Sequence, residues 1–149
     1  MRPLLIVPLV VLLLAVASSL PAPSLALAGS VEEANAGQGG EIMDLRPLLV
    51  PGRVTLIDFY SPFCPPCRFL APLLEQLAQR RPDLMVKKVN INRPGFQGID
   101  WKSPLAQQHQ LRSVPYFLIF NPQGKLMARG QAAMQQLEGW LKEAGIPMR

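Results

Sequence analysis

The chain of 149 residues holds two cysteines, Cys64 and Cys67, separated by Pro65 and Pro66. A bridge between them would close a very short loop. Structural disulfides gain more from closing long loops, so this spacing points to redox chemistry rather than stabilisation. A closed zinc site needs four ligands, and the only further soft ligand is His109. Arg68 follows Cys67, which removes the C-x-x-C-H haem attachment pattern, and two thiolates are too few for an iron–sulfur cluster. Two chemistries remain open: thiol–disulfide exchange, or soft Cu(I) binding by a thiol module. Beyond Met1, the methionines at 43, 85, 127, 134 and 148 form no spaced motif that would favour copper.

Exchange requires a thiolate, and the surrounding residues supply a place for one. Val54 to Tyr60 is a nearly continuous apolar, β-branched and aromatic run, as expected of a strand buried on both faces. Ser61-Pro62 ends it. Arg68 to Gln79 repeats apolar residues at helical spacing, at 69, 70, 73, 74, 77 and 78. Cys64 therefore falls at a helix N-terminus, where free N–H groups and the helix dipole favour an anion. Cys67 lies one turn on, along the same face. The prolines suit the first helical turn but have no N–H to offer the sulfur. Thiolate stabilisation then rests on the Cys67 N–H and the dipole.

Further along, Leu84 to Ile91 reads as a strand and Pro104 to Gln110 as a short helix capped by Ser103. Tyr116 to Phe120 and Lys125 to Arg129 read as a hairpin around Asn121-Pro122-Gln123-Gly124, and Gln131 to Ala144 as a closing helix. Strand, helix, strand, helix, strand, strand, helix implies an α/β domain: a central mixed β-sheet with helices on both faces.

Several segments carry a resemblance. Asp58-Phe59-Tyr60-Ser61-Pro62-Phe63-Cys64-Pro65-Pro66-Cys67-Arg68 resembles the active-site segment of the thioredoxin superfamily. Ser113-Val114-Pro115-Tyr116-Phe117 resembles its cis-proline loop, Asn121 to Gly124 its hairpin turn, and Pro72 its helix-kinking proline. The resemblance covers Val54 to the C-terminus. It implies a thioredoxin-like fold and no cofactor beyond a redox-active Cys64–Cys67 disulfide. It implies Cys64 as nucleophile, Cys67 as resolving cysteine, and Asp58 as the buried acid that takes the Cys67 proton. It implies Lys88 as a lysine tuning that acid, Pro115 as a cis proline, and Val114 as the residue presenting its backbone to a substrate peptide. Tyr60 and Phe63 stand where thioredoxins often have tryptophan and are expected to form an apolar rim. Trp101 and Trp140 are expected to be packing residues, and His109 a helix-end residue.

Departures matter for direction. The dipeptide is Pro-Pro where thioredoxin has Gly-Pro, no histidine lies between the cysteines, and the span from Ile91 to Pro115 is longer. The missing histidine and the sparse donors favour a protein-disulfide reductase, with a disulfide oxidase or isomerase as the alternative.

Ahead of this domain, Arg2 precedes an apolar run from Leu4 to Val16, and Ala26-Leu27-Ala28 offers an A-x-A cleavage site. Residues 1–28 read as a secretory signal peptide, or else as an uncleaved N-terminal membrane anchor. Either places the rest outside the cytoplasm, in a periplasmic or similar space. Residues 29–40 read as a flexible linker and 41–149 as the domain. The formal charge of +5 is scattered along the chain, which argues against nucleic-acid binding. Protein thiols and disulfides are the implied substrates, a membrane thiol-transfer protein the expected redox partner, and a monomer the expected state.

Overall fold

The computed structural model describes residues 28–148, so the signal or anchor segment lies, apart from Ala28, outside the described residues. Five strands form one sheet: β1 (Ser30–Glu33), β2 (Val54–Tyr60), β3 (Leu84–Asn90), β4 (Tyr116–Phe120) and β5 (Leu126–Arg129). Three α-helices accompany them: α1 (Pro65–Arg80), α2 (Pro104–Gln108) and α3 (Gln131–Glu143). The strand order is β1-β3-β2-β4-β5. β3 runs parallel to both β1 and β2, while β4 is antiparallel to β2 and β5. A parallel β2–β3 pair needs a crossover, and α1 supplies it. The β4–β5 pair needs only a tight turn. Asn121 closes it: its side-chain oxygen accepts from the Gln123 and Lys125 amides, and Gly124 takes the positive φ.

Strand alternation sends Leu56, Val86, Phe117 and Ile119 to one face, where α1 and α3 cover them. The buried stripe of α1 is Leu70, Leu73, Leu74, Leu77 and Ala78, and that of α3 is Ala133, Leu137 and Leu141. Each fully buried leucine contributes about 2 kcal/mol of transfer free energy. Ile57, Phe59, Val89 and Ile91 point to the other face, where α2 and a single 3-10 turn (Arg46–Leu48) pack. This is the thioredoxin-like mixed sheet with helices on both faces.

The linker reading of 29–40 is corrected. Ser30–Glu33 is an edge strand of the sheet, and the residues after it are tied down. The Ala34 amide donates to the Lys88 carbonyl at 2.7 Å, and Asn35 exchanges two side-chain hydrogen bonds with the Asn90 backbone. Glycine misled the composition argument. A Cβ at Gly29 would collide with the carbonyl oxygens of Arg81, Ala78 and Leu84, and one at Gly39 with that of Asn92. These glycines serve close packing, not freedom of motion.

Candidate active site

β2 delivers the chain to the cysteines through one turn. Ser61, fully buried, accepts the Phe63 amide on its hydroxyl at 3.2 Å and the Cys64 amide on its carbonyl at 3.1 Å. That turn sets Cys64 at the N-cap of α1, with Pro65 and Pro66 in the first two helical positions. The Cys67 amide donates to the Cys64 sulfur at 3.1 Å. Cys64 and Cys67 are joined in a disulfide, with their Cα atoms 5.3 Å apart. Both are nearly covered, at 1% and 5% exposure.

The Val114–Pro115 bond is cis, and the Val114 carbonyl oxygen lies 3.5 Å from the Cys64 sulfur. Phe63 stands exposed beside Cys64. A groove of about 340 Å³ opens next to it, walled in part by Gly39, Arg93 and Phe96. The Arg93 wall is braced by its ion pair with the buried Asp100, 2.7 Å away. Phe96 and Asp100 belong to the long segment between β3 and α2, and Gly39 to the reassigned segment after β1.

Asp58 lies two residues after Leu56 on β2, so it faces the side of the sheet that α1 covers. Register sets a row across four strands: Glu33 beside Lys88, Lys88 beside Asp58, and Asp58 beside Phe117. Asp58 is buried, and its Oδ1 has no hydrogen-bond partner within the protein. Burial pushes its carboxyl from the usual 3.8 up to about 7; Lys88 opposes that rise and Glu33 adds to it.

Tyr60 is half-buried and turns its hydroxyl toward the edge of the sheet. Its hydroxyl donates to Glu33 Oε2 at 2.8 Å, and Lys88 Nζ sits 4.3 Å from its ring centre. Burial, followed by that hydrogen bond, raises its phenol above the usual range. Lys88 Nζ is also 3.9 Å from Glu33 Oε2. His109 caps the C-terminus of α2 and packs on Phe59, 4.8 Å between ring centres, away from the cysteines. Trp140 lies under the Arg81 guanidinium as a packing residue, whereas Trp101 is exposed. Among the described residues no group of three or more metal-binding side chains comes together.

Sequence reasoning missed Ser61, Glu33 and Phe96. Glu33 was hidden inside the supposed linker. Ser30-Val31-Glu32-Glu33 holds one apolar residue and no alternation that would announce a strand.

Residues 48–143 match the Thioredoxin family model. A thioredoxin-like protein of Fusarium culmorum is 30% identical over 95 residues, which cover 62% of this chain and 72% of that protein. Thioredoxin 1 of Synechococcus elongatus is 38% identical over 65 residues, covering 44% of this chain and 54% of its own length; the chain thus spans about half of that relative. The short form of thioredoxin f from spinach chloroplast shares the fold, with a TM-score of 0.55 at 21% identity, over 80% of this chain and 96% of that one.

Proposed function

The chain belongs to the thioredoxin family of protein-disulfide oxidoreductases, and on that premise we propose that it reduces protein disulfides outside the cytoplasm. The observation that carries this is the Cys64 sulfur at the tip of α1, receiving the Cys67 amide, with Asp58 buried beneath the same helix. In the dithiol form, the Cys64 thiolate attacks one sulfur of a substrate disulfide. A mixed disulfide forms, and the other substrate sulfur leaves as a thiolate. Cys67 then gives its proton to Asp58 and attacks the Cys64 sulfur. The second substrate sulfur leaves, and Cys64 and Cys67 end as the disulfide. Two electrons have passed to the substrate.

An extended substrate segment would lie along Val114, with Phe63 as an apolar contact and the groove of mixed character, walled by Arg93 and Phe96, beside it. The reductase direction is supported by the donor set: one amide reaches the Cys64 sulfur, and the two prolines add none. A less stabilised thiolate makes the dithiol a stronger reductant. The apolar run from Leu4 to Val16 and the Ala26-Leu27-Ala28 site support export. A protein working there needs electrons, and a membrane thiol-transfer protein is the proposed supply.

Equilibration with glutathione buffers tests the direction. A potential near about −270 mV or lower is expected, and one near about −120 mV would mark an oxidase instead.

A further inference from the structure

Lys88 is the cation that faces Asp58, and it is not Asp58's alone. From β1, Glu33 approaches the lysine with Oε2 at 3.9 Å. From β2, Tyr60 places its ring 4.3 Å from Nζ and its hydroxyl on the same Glu33 oxygen. From β4, Phe117 closes the row with an apolar ring. α1, lying over this face, brings the disulfide and leucines, and none of its buried residues is charged. One ammonium is therefore shared between two carboxylates, one fully buried and one at the edge, with side-chain exposure of 33%.

We propose that Glu33 is a positioning residue of the redox centre, which holds Lys88 and Tyr60 at the edge of the sheet and so divides the lysine's charge away from Asp58. This rests on Asp58 being the acceptor of the Cys67 proton. A buried carboxylate paired with a lysine of its own stays ionised and is a weak base. Glu33 acts against that pairing in two ways. It draws Nζ toward itself, and it adds a second negative charge in the row. Both favour the protonated form of Asp58, so the carboxyl accepts a proton near neutrality. Joining β1 to β3 does not require Glu33, because the neighbouring Glu32 pairs with Lys87 between the same two strands. Tyr60 fits the arrangement as the residue that keeps the Glu33 carboxylate turned toward Lys88.

The test compares Glu33→Gln, Glu33→Asp and the control Glu32→Gln in the full chain. Carboxyl NMR follows Asp58 in the oxidised protein, and stopped-flow follows release of a mixed disulfide across pH. Glu33→Gln is expected to lower the Asp58 midpoint by about one pH unit, as the loss of a like charge and the gain of an undivided cation require. The pH profile of release should move with it. Glu33→Asp should restore much of the shift, and Glu32→Gln should leave both readouts in place. An Asp58 midpoint that stays put or rises in Glu33→Gln overturns the inference and leaves the role of Asp58 standing. A wild-type release profile unchanged by Asp58→Asn would remove that role, and this inference with it.

Discussion

Cys64→Ser is expected to abolish disulfide reduction, a fall of at least about a thousandfold, as removal of an enzyme's nucleophile commonly produces. A serine hydroxyl cannot form the mixed disulfide on which the cycle turns. Cys67 cannot take over efficiently, because it sits one turn inside α1 rather than at the N-cap, where the free N–H groups and the dipole favour a thiolate. Cys67→Ser should fail differently. Cys64 keeps its place at the helix tip, so the first attack proceeds, but no second sulfur follows. A one-to-one covalent adduct with the substrate should accumulate and survive until a small dithiol is added. Non-reducing electrophoresis and intact mass distinguish the two variants. Equal inactivity without an adduct in Cys67→Ser would mean that Cys64 is not the attacking sulfur.

Asp58→Asn should make the oxidised protein more stable above pH 7 while slowing the release of mixed disulfides. The folded carboxyl titrates at about 7 instead of 3.8 because burial penalises its charge. Between those values the folded state holds a proton that the unfolded chain has lost. Unfolding free energy therefore falls as pH rises from about 4 to about 7, by up to about 4 kcal/mol in all. Asparagine carries no charge, so the variant should lose this slope. At pH 8 it should exceed the wild type by roughly 1 to 4 kcal/mol, the lower end applying where the new amide lacks partners. Near pH 4 the two should be close. Removing the base should slow release by about a hundredfold. Denaturant unfolding at pH 4, 6 and 8 checks the stability claim, and parallel wild-type and variant curves would contradict it.

The site was legible where its parts lie close together in sequence. Asp58 to Arg68 spans strand end, turn and helix start within eleven residues, and local signals describe each piece. The apolar run of β2, the spacing in α1 and the Asn121–Gly124 turn were readable for the same reason. What was hidden depends on partners far away. β1 has four residues and lies at the sheet edge, so it becomes a strand only by pairing with β3, 55 positions on. Gly29 and Gly39 carry the composition of a linker, yet each is required by a distant carbonyl. Tyr60 could be placed on its strand from sequence, but the destination of its hydroxyl could not, because Glu33 had not been assigned to the sheet.

The account turns on the two sulfurs of the helix tip joining and parting reversibly. Thiol alkylation followed by intact mass measurement should be run on the full chain as isolated, after a dithiol reductant, and again after re-oxidation. Zero, two and then zero added alkyl groups are predicted, with both labels on Cys64 and Cys67. A disulfide that never opens in the folded protein, or thiols that never close again, would contradict it.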